Sequence, residues 1–177
     1  NPLYVEGGMM DRIPMFFYTM AYYVKLLIVP FPFRYYYGFD QVEIAQWDHP
    51  VVWVSSLAVL GSLVIMLKRI KKKETWAFGV FFFMFAIGGA CNLLFPAVGI
   101  IAERFAFVAS VGFSISVGWL LWMILKKGKS QKMIVTGVLG VISIISLVLV
   151  VNRNPDWNNR LSLYKNDIGN LDNSAKA

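Results

Sequence analysis

Four stretches of the chain run without a single charged residue: 51–67, 75–102, 105–125 and 133–151. A hydrocarbon core of roughly 30 Å takes about 20 apolar residues at 1.5 Å per residue, so each stretch predicts a transmembrane helix. A fifth apolar stretch, 13–33, is broken by Pro14, Lys25, Pro30 and Pro32. It suits an interfacial or re-entrant helix, and it also suits a fifth crossing; both readings stay open. The residues that follow it include Tyr35, Tyr36, Tyr37 and Trp47, amphipathic rings that favour the membrane boundary, and Pro50 sits where a helix start tolerates its missing N–H. Beyond 151, Asn154 is placed to cap a helix whose first residue is Pro155. Trp157, Leu161, Tyr164, Ile168 and Leu171 then recur at spacings of 4, 3, 4 and 3, an apolar stripe opposite Asn158, Arg160, Lys165 and Asp167.

The expected fold is therefore an all-α integral membrane protein. Residues 1–49 form an outer-face loop containing the helix 13–33, residues 50–151 form a four-helix membrane region, and residues 152–177 carry an extracytoplasmic amphipathic helix. Ser174 to Ala177 resembles the first turn of another helix, as in a helical-repeat array. In lipid, helices associate through close contact of small residues. Ala106, Ser110, Ser114 and Gly118, four residues apart, predict such a face, and Gly88, Gly89, Asn92, Pro96 and Gly99 predict a closely packed or broken end of the second span.

Composition supports the choice of solvent. The chain is 58% hydrophobic and 15% charged, against about 45–50% and about 25% in water-soluble domains. Disorder is excluded by the same excess. One cysteine (Cys91) and one histidine (His49) exclude a disulfide framework, a Cys/His zinc site and a Ser-His-Asp or Cys-His centre within this segment. The net charge of +7 is concentrated in two turns, Lys68, Arg69, Lys71, Lys72 and Lys73, then Lys126, Lys127, Lys129 and Lys132. Such turns between apolar spans are expected in the cytoplasm, and with them explained no nucleic-acid partner is needed. The chain begins at Asn1 without an initiator methionine, and it is expected to be an internal piece of a longer protein.

Candidate chemistry falls on the face opposite the basic turns. Arg104 opposes the dipole of the helix it opens, so it either holds an anion such as a lipid phosphate or anchors the helix beside Glu103. Lys25, among apolar neighbours, is expected to need an acidic partner, a wet cavity or a bound phosphate. Arg12 and Arg34 bracket that stretch as further phosphate-binding or anchoring groups. Asp11, Asp40, Glu43 and Asp48 are the carboxylates able to act as a base, but their spacing gives no metal signature, and no cofactor is indicated. His49, beside Pro50, reads as a helix start. Gly128-Lys129-Ser130 lacks the upstream glycine of a phosphate loop, since Met123 occupies that position.

Three pieces of sequence taken in order resemble one family: Asn1-Pro2-Leu3 with Arg12 and the run from Tyr23 to Phe33; Ala102-Glu103-Arg104-Phe105 with Ser110 to Phe113; and Asp156-Trp157 with Asn173 to Ala177. Together they are similar to the membrane-embedded C-terminal half of the transmembrane and tetratricopeptide-repeat-containing protein O-mannosyltransferases and their bacterial relatives. The resemblance implies a multi-pass enzyme of the bacterial inner membrane or the endoplasmic reticulum. It implies inverting transfer of a sugar from a polyprenyl-phosphate donor to a protein or glycan acceptor on the periplasmic or luminal face. It also implies a catalytic base upstream of Asn1, hence no catalytic residue in this segment and no activity for it alone, and helical repeats downstream as partners. Arg104, with Lys25, Arg12 and Arg34, would bind the donor phosphate, supported by Glu103, Asp11 and Asp40. Phe105 and Phe107 depart from the family's Tyr and Leu run. A non-catalytic anchor for a repeat domain and a polyprenyl-lipid transporter or polymerase are the alternatives.

Overall fold

The computed structural model describes residues 9–30, 42–91, 93, 101–159 and 161–162. They form helices α1 (Met9–Ile28), α2 (Pro50–Ile70), α3 (Thr75–Gly88), α4 (Glu103–Leu125) and α5 (Lys129–Arg153), the last continuing into a short 3-10 turn, Asn154–Trp157. Three of these, α2, α4 and α5 with its 3-10 extension, are long and apolar enough to cross a membrane.

The second expected span is where the pattern misleads. α3 stops at Gly88 after 14 residues, about 21 Å of helix and short of a full crossing. Gly88 and Gly89 follow one another there, and two residues with the highest backbone entropy in the chain weaken any continuation. An added Cβ at either glycine would meet nothing within 4 Å, so neither marks a close helix contact. Of the other residues expected at that end, Asn92, Pro96 and Gly99 lie outside the described residues.

Local chemistry explains the remaining boundaries. α2 begins because His49 takes an extended conformation and its Nδ1 accepts the Val51 N–H at 3.2 Å, with Pro50 in the first turn. It ends on Lys68 and Arg69, cations at the negative end of the dipole. Arg69 reaches forward to Glu74 at 3.1 Å, and the Trp76 indole N–H donates to the same carboxylate at 2.6 Å. These contacts hold the Glu74 carboxyl below the usual carboxylate range, the Trp76 hydrogen bond being the largest cause. Asn154 is helical: it closes α5 and is the first residue of the 3-10 turn, with Pro155 in that turn's first positions, so it is not the extended cap expected before Pro155. Five residues later Asn159 Oδ1 accepts from Ser162 N at 2.8 Å and Asn159 N donates to Ser162 Oγ at 3.3 Å, the reciprocal pattern of a capping box. Residues 163–177, and with them most of the expected amphipathic stripe, lie outside the described residues.

α3 and α4 run antiparallel in backbone contact. A Cβ on Gly79 would lie 2.7 Å from Gly112 O and would meet Ser116, while one on Gly112 would come within 3.0 Å of Phe83 Cα. The small-residue face on α4 is thus Ala109, Gly112 and Ser116 with Ala106, of which Ala106, Ala109 and Gly112 are buried. The expected stripe of Ala106, Ser110, Ser114 and Gly118 is correct only at Ala106: Ser114 and Gly118 are exposed, and nothing lies near Gly118. A strict four-residue repeat drifts by about 40° per step around a helix of 3.6 residues per turn, so it leaves the interface by its third member.

α1 closes the bundle at the end remote from the two basic turns. Tyr23, Met15 and Thr19 are fully buried against the bundle, whereas α5 buries no residue and touches α4 alone among the helices. The helix begins and ends earlier than the expected 13–33, and takes Asp11, Arg12 and Pro14 into its first turns.

Candidate functional site

α1 lies along the distal end of the bundle. Asp11 shares a cavity with Trp47 and Asp48, and Lys25 shares another with His49 and Val51. These two α1 residues are about 21 Å apart along the axis, yet both face the segment that leads into α2. A helix crossing antiparallel to α2 would carry Lys25 toward the 68–73 turn. α1 does not, and it is absent from the helices long and apolar enough to cross.

Polar contacts line its other side. The Tyr23 hydroxyl is 3.4 Å from Ala102 O and accepts the Ala102 N–H at 3.2 Å. The Thr19 hydroxyl is 2.9 Å from Met15 O and 3.4 Å from Cys91 O; its single proton favours the nearer acceptor. Cys91 is fully buried beside it, and burial pushes the thiol up to about 12.

The α2-facing stripe of α1 is Asp11, Pro14, Tyr18, Ala21, Tyr22 and Lys25, spaced as one helix face. Its C-terminal half, with His49 and Val51, lines a cavity of about 240 Å³. Tyr18 and His49 meet edge to face at 5.2 Å, and His49 Nε2 is 3.6 Å from Glu43 Oε2. Because Nδ1 accepts the Val51 N–H, the Nε2 side carries the proton toward Glu43. The Lys25 ammonium stands 5.4 Å from the Tyr22 ring. Lys25 is exposed on the surface of α1.

This cationic mouth opens onto hydrocarbon-like space. Ala21 and Val51 are shared with an apolar cavity of about 380 Å³ between α1 and α2. That cavity shares Met20, Val24, Ala58 and Val59 with a further one of about 290 Å³, which reaches Phe83, Ser62 and Ser116.

Arg104 is exposed in the first turn of α4, its guanidinium 5.2 Å from the Phe105 ring and its charge felt at the Tyr23 hydroxyl. Tyr23 and Lys25 are two residues apart on α1, about 200° around the helix. Lys25 and Arg104 therefore flank α1 on different sides. Glu103 shares the first turn of α4, and Arg12 is half-buried in the first turns of α1. Arg34 and Asp40 lie outside the described residues. Among the described residues, no three of His, Cys, Asp and Glu gather as a metal site. Sequence reasoning passed over Tyr18 and Gln46 and took Trp47 only as a boundary ring; the three-and-four spacing from Asp11 to Lys25 was the available signal for Tyr18.

Membrane-length apolar helices with a cleft at one end define a multi-pass membrane protein. Its sequence is 26% identical over 187 residues, covering 99% of the chain, to the protein O-mannosyl-transferase TMTC1 of Mus musculus. It is 27% identical over 177 residues, covering 94% of the chain, to that of Homo sapiens. The chain spans about one fifth of the length of these relatives, 19% and 20%. No family model matches the chain, and no solved structure does.

Proposed function

We propose that this chain forms the donor-binding part of a membrane glycosyltransferase that moves a sugar from a polyprenyl phosphate to a protein or glycan acceptor. The observation that carries the reading is the continuity of the Lys25–His49 mouth with the apolar groove running to Ser62 and Ser116. A lipid phosphate has this bipolar form: an anion at the boundary and a chain in the hydrocarbon. Similarity to the O-mannosyl-transferases supports transfer as the chemistry. In this reading the basic turns face the cytoplasm, the mouth opens on the luminal or periplasmic side, and helical repeats follow the 3-10 turn.

Mechanistically, departure of the lipid phosphate leaves negative charge that a cation at a water-poor boundary neutralises better than bulk water does. Lys25 stands at the mouth for that role. Arg104, on the other side of α1, is a second candidate for the phosphate and the alternative arm of the test. Sugar transfer by the native protein in its own membrane, compared for Lys25→Gln and Arg104→Ala at matched abundance, separates them. A fall of about tenfold or more is expected for Lys25→Gln. Unchanged turnover in both variants would remove the phosphate from this end of the bundle.

A further inference from the structure

The N-terminal half of the same α1 face lines a second and different cavity. It holds about 430 Å³ between Met10, Asp11 and Pro14 of α1 and Ile44, Gln46, Trp47 and Asp48, within the usual range of small-molecule sites. One part of its wall is apolar and aromatic; the other carries two carboxylates and a primary amide. Trp47 is fixed, since the Trp53 indole N–H donates to Trp47 O at 2.7 Å and the two rings lie 5.4 Å apart. Trp47 is nevertheless 43% exposed, leaving ring surface for a ligand.

The lining eliminates most occupants. Two carboxylates repel a phosphate and make a poor bed for a lipid chain. A bound divalent cation of the hard type wants six or more oxygen ligands, and the described wall offers two carboxylates and one amide. What fits is an uncharged molecule with an apolar C–H face and a rim of hydroxyls, which carboxylates and amides engage with strong hydrogen bonds. We infer that Asp11, Gln46, Trp47 and Asp48 form a subsite for a pyranose ring. The inference rests on the glycosyltransferase reading only in naming this sugar as one that the enzyme handles. The sugar belongs either to the donor or to a glycan acceptor.

Saturation-transfer NMR on the native protein in lipid nanodiscs tests this with methyl α-mannopyranoside, farnesyl phosphate and farnesyl-phosphoryl-mannose as probes. The Asp48→Asn/Gln46→Ala variant changes two exposed side chains and leaves Trp47 in place. Its affinity for the mannoside is expected to fall about tenfold or more, with farnesyl phosphate binding unchanged. An accompanying loss for farnesyl-phosphoryl-mannose assigns the donor's sugar, and a loss limited to the mannoside assigns the acceptor's. Absence of mannoside binding to the parent protein, or equal binding by the variant, overturns the subsite. Failure of the donor reading shows separately, as farnesyl phosphate binding that is absent or indifferent to Lys25→Gln.

Discussion

The Tyr23 hydroxyl bonds both backbone polar groups of Ala102, at 3.2 Å from its nitrogen and 3.4 Å from its oxygen. Ala102 is the extended residue that opens α4, so one phenol ties α1 to the start of the helix that carries Arg104.

Removing that oxygen is expected to loosen the tie without emptying the core. Tyr23→Phe leaves a buried N–H unsatisfied, at a cost of about 1–3 kcal/mol. Thermal unfolding in detergent should show a lowered midpoint for Tyr23→Phe. A midpoint equal to that of the parent protein would contradict the tie.

The contact between α3 and α4 makes two glycines irreplaceable and another indifferent. Gly79→Ala and Gly112→Ala force backbone apart and should each destabilise by about 1–3 kcal/mol or more. Gly118→Ala, with open space around it, should match the parent in the same denaturation series.

Cys91 is predicted to behave as a core methyl and not as a nucleophile. With its thiol pushed up to about 12, the thiolate fraction at pH 8 is about one in ten thousand. Maleimide should label it only on unfolding. The sign of its pH effect follows from the direction: the folded state favours the neutral thiol, so its stabilising contribution is full below the ordinary thiol value of 9.0 and is lost as pH rises toward about 12. Cys91→Ala should flatten that alkaline slope.

Orientation is open to direct chemistry. In sealed, right-side-out vesicles, an impermeant amine reagent should leave Lys71 and Lys127 unmodified and should reach them once the membrane is opened. Modification of either in sealed vesicles would invert the proposed topology.

Much of this architecture can be read from hydropathy, because charge-free runs and lysine-rich turns are properties of single segments. Glu103 and Arg104, expected at the opening of a helix, form the first turn of α4. What hydropathy conceals is where an apolar run is interrupted: the run 75–102 has no polar marker at Gly88, where α3 ends. The α3–α4 face was misplaced because interface residues follow the 3.6-residue turn and not the integer spacing of Ala106, Ser110, Ser114 and Gly118. The site divides similarly. His49 was legible as a helix start from Pro50, and Lys25 was conspicuous, but the cavities also depend on segment 42–51 folding back along α1, a long-range relation that periodicity does not encode.

Among the described helices α5 rests on α4 alone, and its charge-free run 133–151 has 19 residues, about 28 Å at helical rise against a hydrocarbon core of about 30 Å. Lys129 and Lys132 at one end and Arg153 at the other mark where that run meets the boundary. A thinner membrane would therefore be met by a lean of this outrigger, swinging Arg153 and Asp156 sideways while the cleft beneath α1 keeps its shape.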